Sequence, residues 1–178
     1  MAFNFSANTG YLWKELPFLD RIRSAKNHGF DSLEFHDEVY FEDLGDLKSL
    51  LKEVGLPVNS MNIRMGPSFG SAAIPDRQHV AQHDIREAAR LAQEIEAKAL
   101  HILSGLSEET PDAFETFVEN LEYALDYSTL NIFIEPVCEE QLPEYFLRTL
   151  EQAGQVLDAV NNPRLKIMFD CYHVFTQS

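Results

Sequence analysis

Two acidic residues, Glu135 and Asp170, each end a short apolar run of the sequence, NIFIE in the first case and LKIMFD in the second. They lie 35 residues apart, about the length of one strand, one loop and one crossover helix in a parallel α/β protein. On neighbouring parallel strands their carboxylates would be roughly 5 Å apart. Such a pair could bind one divalent cation, Mg²⁺ or Mn²⁺, or divide acid and base roles. The alternative is structural, with each acid capping the next helix or pairing with an arginine.

A divalent cation at this position predicts a particular class of reaction. Beside a bound α-hydroxycarbonyl it would polarise both oxygens and acidify the C–H bond between them, so isomerisation through an enediol would follow. His173 comes three residues after Asp170. There it would either touch a substrate hydroxyl or lie on the surface.

Four further side chains have two interpretations each. His101 lies in an apolar run, where a buried neutral histidine with a hydrogen-bonded partner is the favoured interpretation. Arg64 could hold a substrate anion bidentately or pair with an Asp or Glu. Cys138 and Cys171 have neither the number nor the spacing of a disulfide framework or a zinc site, and the sequence places no base beside them. We interpret both as reduced thiols that fill space.

The elements that must position these residues alternate regularly along the chain. Apolar periodicity predicts six strands over 3–8, 32–36, 57–64, 99–105, 131–137 and 165–170, and helices over 17–29, 47–55, 76–97, 111–125 and 146–160. Residues 65–75 are rich in Gly, Pro and Ser and predict a loop long enough to cover a site. Strict alternation of strand and helix predicts a parallel sheet.

Polar residues recur where nearly every predicted strand ends, and this distribution predicts the fold. They are Asn8, Glu34, His36, Asn62, Arg64, Ser104, Glu135 and Asp170. Several strands that each contribute a residue to one rim are typical of a (β/α)8 TIM barrel. The alternation within 32–36 and 131–135 places the apolar set toward the helices and the polar set toward the barrel interior. Since such a barrel takes about 250 residues, we expect residues 1–178 to form a single, incomplete barrel domain that stops after strand six.

The charge balance excludes one large class of partner. With 14 basic and 29 acidic residues, the net charge is −15, and no cluster of Lys or Arg interrupts it. A nucleic-acid backbone would be repelled. The sequence also has no run of 18 apolar residues and no leader pattern, so we expect a soluble, cytoplasmic protein with no membrane partner.

Several blocks of the sequence resemble the hydroxypyruvate isomerase family of xylose isomerase-like TIM barrels, and together they extend over nearly the whole chain. The blocks are FSAN (5–8), PFLDR (17–21), GFDSLEF (29–35), HILSG (101–105), IEPV (134–137), LPEYFLRTLEQA (142–153) and NPRLKIMFDCYH (162–173). The paired Glu-Pro and Asp-x-x-His blocks are the most specific of these.

The resemblance implies an isomerase that interconverts hydroxypyruvate and tartronate semialdehyde, or a related 2-oxo acid or ketose and its aldehyde isomer. It implies that Glu135 is a metal ligand and one of two proton-transferring glutamates, Asp170 a second ligand of the divalent metal, and His173 a substrate contact, in an isomerisation that is either metal-assisted or cofactor-independent. Asn62 and Arg64 are the further substrate-binding candidates, and the partner is a small sugar or 2-oxo acid.

Two departures from the family pattern leave alternatives open. Cys138, Glu139 and Glu140 stand where the family usually carries Asn and a basic residue, and strands seven and eight, with the other metal ligands, have no counterpart. The alternatives are an inactive or partner-dependent truncated barrel, which could form a homo-oligomer through its edges, and another sugar epimerase or isomerase of the superfamily. A phosphodiesterase of the endonuclease branch is disfavoured by the charge of −15.

Overall fold

A computed structural model describes residues 3–177 as one parallel sheet with helices between consecutive strands. The strands are β1 Ser6–Asn8, β2 Ser32–Phe35, β3 Val58–Asn62, β4 Ala99–His101, β5 Asn131–Ile134 and β6 Leu165–Ile167. The helices are α1 Phe18–Asn27, α2 Leu44–Val54, α3 Gln78–Glu94, α4 Pro111–Tyr127, α5 Leu150–Val160 and α6 Cys171–Thr176. Short 3₁₀ turns occupy Glu38–Phe41 and Pro75–Arg77. The predicted succession of six strands is confirmed.

The strands pair in chain order, β1 through β6, and every pairing is parallel. Because the carboxyl ends of all six strands point the same way, the residues that follow them meet at one rim. Consecutive helices α1–α2, α3–α4 and α4–α5 pack on one another along the outside of the sheet. This is the layering expected of a barrel wall.

The alternation of side chains within each strand decides what faces the helices. In β5, Ile132 and Ile134 are fully buried in the core, whereas Asn131 and Phe133 are partly exposed on the other face. In β2, Phe35 packs edge-on against Phe18 of α1, with ring centroids 5.1 Å apart. Burying a side chain of this size stabilises the fold by about 1.5–3 kcal/mol. The predicted facing of both strands is therefore confirmed.

Several element boundaries differ from the sequence prediction, most of all at β4, which ends at His101 rather than at residue 105. Three other differences are as follows. β1 begins at Ser6 rather than Phe3, and the Phe5 amide instead donates to Asp31 Oδ2. α5 begins at Leu150, capped by Thr149, rather than at residue 146. β6 ends at Ile167, and a short helix that was not predicted, α6, follows it. β1 and α5 are shortened because a side chain or a loop accepts from backbone amides that a longer element would use, namely those of Phe5, Phe146 and Leu147.

The outer strands have one neighbour each. Within residues 3–177, nothing pairs with the second side of β1 or of β6. Large apolar side chains are exposed beside these two strands, among them Phe5, Phe169 and Phe175. No helix among the described residues is long and apolar enough to cross a membrane.

Candidate active site

A cavity of about 420 Å³ opens at the carboxyl ends of the strands. This volume suits a small-molecule ligand. All six strands supply a polar residue to its lining, either at the strand end or just after it: Asn8, Glu34, Asn62, His101, Glu135 and Asp170. Burial, together with the charges of Glu135 and Asp170, raises the pKa of Tyr11. Tyr11 follows β1 and the two acids follow β5 and β6, so the sheet is curved enough to bring the ends of its outer strands near each other.

Glu135 is the most perturbed acid of the cavity. Its side chain is 16% exposed, and no other side chain or amide among the described residues hydrogen-bonds to its carboxylate. Burial, together with the nearby charges of Asp170 and Glu34, raises the pKa of Glu135 to about 7. Acidic side chains therefore dominate the charge of this site, since the described residues that line it include Glu34, Glu135 and Asp170 and no Lys or Arg.

Asp170 combines the two roles that the sequence left open. Its Oδ1 accepts a 2.6 Å hydrogen bond from the Tyr172 amide, which makes it the N-cap of α6. Its Oδ2 stays free of the cap and lies 3.8 Å from Nε2 of His173. The capping alternative is thus correct for one oxygen, and the other oxygen faces the cavity.

Glu135, Asp170 and His173 bring one potential ligand atom each to within 4.8 Å of one another. The two acids offer the hard oxygen ligands that Mg²⁺ and Mn²⁺ prefer. Burial first, and then the charges of Asp170 and Glu34, raise the pKa of Glu135, and a cation between the carboxylates would offset the second effect. The residues present therefore fit a divalent metal.

His101 is buried and neutral, as the sequence predicted. It is 3% exposed, and burial, aided by His36, lowers its pKa to about 3. Its Nδ1 donates a 3.0 Å hydrogen bond to Oδ1 of Asn62, because an amide oxygen can only accept. Its Nε2 lies 3.8 Å from Oε2 of Glu135 and has no hydrogen-bond partner among the described residues. Since the ring is neutral, this contact is not an ion pair.

His173 is held from behind by a cysteine. Its Nδ1 lies 3.2 Å from Sγ of Cys138, and both side chains are buried. The sequence interpretation of Cys138 as a reduced thiol is consistent with this, since both cysteines are free. The histidine that it contacts could not be inferred from the sequence, because it is 35 residues away.

Arg64 is placed differently from the other predicted site residues. It is not among the residues that line the cavity. Its guanidinium pairs with Glu87 at 2.6 Å, lies 3.8 Å from Asp84 and stacks over the Tyr40 ring. The acidic pairing that the sequence offered as an alternative is thus observed. The structure brings together Glu135, Asp170, His173 and Asn62 without it.

Comparison with known proteins agrees with this geometry. A family model described as xylose isomerase-like TIM barrel matches residues 22–178. The chain belongs to the xylose isomerase-like TIM barrel family. The predicted barrel fold is therefore confirmed.

The chain resembles individual members of the barrel family over nearly all its length. It is 32% identical to hydroxypyruvate isomerase of Escherichia coli, with 96% of this chain and 69% of that protein covered. It is 31% identical to 2-oxo-tetronate isomerase of Pectobacterium atrosepticum, with 95% and 68% covered. The chain thus spans about two thirds of the length of these relatives.

Solved structures of the barrel family superpose on the chain closely. A structure described as AP endonuclease, family 2 from Brucella melitensis has a TM-score of 0.90 and 29% identity, with 96% of this chain and 69% of that chain covered. A D-allulose 3-epimerase from Methylomonas has a TM-score of 0.77 at 19% identity, with 96% and 64% covered. The second likeness speaks to the barrel fold alone.

The sequence did not reveal the contacts that join the loop over 65–75 and the segment after β5 to the end of β4. The Tyr145 hydroxyl accepts from the Ser104 amide at 3.0 Å, and the Leu147 amide donates to Ser104 Oγ at 3.2 Å, so the segment after β5 is tied to the end of β4. The loop over 65–75 also packs against the end of β4, where Gly70 of the loop lies close to Leu103 and Gly105. Both glycines have positive φ, and a Cβ on Gly70 would lie 2.3 Å from the Leu103 oxygen. The glycines were the signal that could have revealed this crossing.

Proposed function

We propose that this chain carries the site of a metal-assisted isomerase, which interconverts a 2-oxo acid or ketose and its aldehyde isomer by enediol proton transfer. The observation that supports it most is the pair Glu135 and Asp170, whose oxygens approach within 4.8 Å of each other and of His173 at the centre of the cavity. Relatives named hydroxypyruvate isomerase and 2-oxo-tetronate isomerase support the same class of reaction.

In this proposal Glu135 and the free oxygen of Asp170 hold the divalent cation. When bound, Mg²⁺ or Mn²⁺ polarises adjacent carbonyl and hydroxyl oxygens and acidifies the C–H bond between them. The two carboxylates also define where the reacting carbons must lie, since they form the charged end of the cavity. The other ligands of a complete coordination sphere are not assigned to residues of this chain.

Glu135 is also the proton carrier. Its carboxylate takes a proton from the carbon that bears the hydroxyl and, as the carboxylic acid, returns it to the former carbonyl carbon. The hydroxyl proton passes to the former carbonyl oxygen in the same sequence, so that atoms and charge balance through the enediol. Without the cation, burial raises the pKa of Glu135 to about 7, so that near neutral pH the carboxylate is available to coordinate and to accept a proton. His173 and Asn62 contact substrate oxygens from the cavity lining. Arg64 lies outside the lining and acts indirectly, through its ion pair with Glu87 of α3.

The charge of the cavity bears on the substrate. Among the described residues that line it there is no Lys or Arg, while Glu34, Glu135 and Asp170 are all present. A carboxylate on the substrate would add to this negative charge without a bidentate partner. The lining therefore favours an uncharged ketose over a 2-oxo acid. The second candidate, a sugar epimerase or isomerase that acts on neutral substrates with the same acids, is supported by this observation.

The proposal is tested by proton exchange rather than by product alone. The protein is incubated in D₂O with Mg²⁺ or Mn²⁺ and with hydroxypyruvate, a 2-oxo-tetronate or neutral ketoses, and deuterium at the reacting carbons is followed by NMR. We expect incorporation that requires Glu135, with Glu135→Gln reducing it at least about 100-fold. Incorporation that persists in Glu135→Gln would rule out its role, and silence with every substrate would count against the isomerase.

The remaining expectations from the sequence stay predictions. These are the cytoplasmic location and the homo-oligomer, neither of which follows from the geometry of the site.

A further inference from the structure

We propose that Cys138 is a positioning residue that fixes the tautomer of His173, so that His173 presents an N–H donor to substrate rather than a lone pair to a metal. The inference rests on the proposed function for the identity of the substrate. Its structural part stands on the contacts of the histidine alone.

The two ring nitrogens of His173 face different chemistry. Nδ1 lies 3.2 Å from the Cys138 sulfur, and Nε2 lies 3.8 Å from Asp170 Oδ2 on the cavity side. An ionised carboxylate only accepts hydrogen bonds, so the nitrogen that faces it is favoured when it carries the hydrogen. In the neutral ring Nδ1 then has the lone pair, and the thiol of Cys138 is able to donate to it.

The burial of this contact makes it specific. Cys138 is fully buried and His173 is 7% exposed, so bulk water is not present to satisfy Nδ1. Within the described residues the sulfur has no hydrogen-bond partner other than this ring. The thiol is not itself in the cavity lining, whereas His173 is. Cys138 therefore acts on the cavity only through the histidine.

The contact also joins the two strand ends. Cys138 follows Glu135 by three residues, and His173 follows Asp170 by three residues. The two later residues contact each other through the Cys138 sulfur and Nδ1 of His173. The Cys138–His173 contact thus sets both the ring direction and the spacing of the segments after β5 and β6.

His101 provides an internal contrast. Its Nδ1 faces the acceptor Asn62 Oδ1, so that nitrogen carries the hydrogen and Nε2 has the lone pair. The two histidines therefore present opposite groups to the acids near them. A partner that can donate, such as a thiol, is what His173 requires and what an amide oxygen could not provide.

The first test is spectroscopic and needs no substrate. Long-range ¹H–¹⁵N spectra of protein labelled at histidine report which ring nitrogen is protonated. We expect the Nε2–H form for His173 in the wild type and in Cys138→Ser, which retains a donor, and a mixed or reversed tautomer in Cys138→Val, which removes the donor and fills the site with apolar atoms. Val156→Ala, a buried change on α5 away from the cavity, controls for altered packing. An Nδ1–H form in the wild type would overturn the proposal.

The second test separates donor from metal ligand. We expect His173→Gln to change Mn²⁺ affinity by less than about twofold, whereas Asp170→Asn lowers it at least about tenfold. Equal losses in the two variants would make His173 a ligand and refute the inference. Absence of Mn²⁺ binding in the wild type would count against the proposed metal, and the tautomer would still decide the role of Cys138.

With an active substrate, a double-mutant cycle tests the order of action. We expect Cys138→Val to lower kcat/KM about tenfold in the wild type and to have no further effect in His173→Gln, because the thiol acts through the ring. Independent effects that multiply would contradict this order.

Discussion

Nε2 of His101 lies 3.8 Å from Oε2 of Glu135, and it faces that carboxylate with a lone pair because Nδ1 donates to Asn62. A neutral lone pair beside an acid favours the protonated acid, which can donate to it, over the carboxylate, which cannot. The arrangement adds to burial and to the charges of Asp170 and Glu34, which already raise the pKa of Glu135 to about 7.

The raised pKa of Glu135 makes the stability of the metal-free chain depend on pH. Since the folded state holds this proton above the ordinary pKa of 4.5 and releases it near 7, stability falls as pH rises through that window, by up to roughly 3 kcal/mol for this group. We expect Glu135→Gln to remove this part of the slope. Denaturant unfolding of both proteins between pH 4.5 and 8 measures it. Parallel curves for the two proteins would show that Glu135 is not perturbed.

Metal binding should have the opposite dependence on pH. Below pH 7 the cation must displace a proton from Glu135. We therefore expect the Mn²⁺ affinity to fall by up to about tenfold for each unit by which the pH is lowered. Calorimetric titrations in buffers of different ionisation enthalpy measure the released proton directly. If the Mn²⁺ affinity did not change between pH 5 and 8, Glu135 would not coordinate the metal.

The described residues that line the cavity include no Lys or Arg, and a substitution can add a basic side chain there. Gln141 is exposed at the cavity edge, and we expect Gln141→Arg to shift selectivity about tenfold toward substrates with a carboxylate. Gln93→Arg adds the same charge on the exposed face of α3 and is the matched control. A similar shift in both variants would assign the effect to overall charge, and no shift would show that the carboxylate does not bind near Gln141.

The glycine crossing is expected to be intolerant of a side chain. Gly70→Ala would place a methyl group 2.3 Å from a backbone oxygen at a positive φ, so we expect destabilisation above about 2 kcal/mol. Gly154 lies inside α5 with open space around it, and Gly154→Ala should stabilise by about 0.5–1 kcal/mol. Thermal and denaturant unfolding compare them. Equal behaviour of the two variants would refute the close approach.

The open strands predict association of the 178-residue polypeptide when it is produced alone. β1 and β6 each have an unpaired side among the described residues, with Phe5 and Phe175 exposed nearby, and such edges pair with other chains. Light scattering across a concentration series should show a rising mass, and Phe175→Lys should reduce it. A monomer at every concentration, with a cooperative melt, would contradict this expectation.

The sequence was most informative where local periodicity and strand ends carry the signal. Glu135 and Asp170 could be placed on one rim because parallel strands share a direction and the helices between them have regular lengths. The facing of β5 followed from two isoleucines that alternate with Asn131, Phe133 and Glu135. These inferences need only the few residues on either side of each site.

Contacts between distant segments could not be predicted in the same way. The Cys138–His173 and Ser104–Tyr145 contacts join residues that are 35 and 41 positions apart and depend on the packing of whole loops. Arg64 had two plausible partners from sequence, and only the position of α3 selects Glu87. The start of α5 depends on Gly105, whose oxygen takes the Phe146 amide.

The close approach of Gly70, in the loop over 65–75, to Gly105 has a consequence for which residues of that loop can be exchanged. The crossing is made mainly by main-chain atoms, among them the Ala73 amide, which donates to the Ser104 oxygen at 2.7 Å. From residues 65–69, the Ser68 side chain adds a hydrogen bond to the Gly70 oxygen. Met65 and Phe69 from this stretch line the cavity. Substitution of these two side chains should therefore alter the cavity wall while Ser68, the two glycines and the positions of Glu135 and Asp170 are retained.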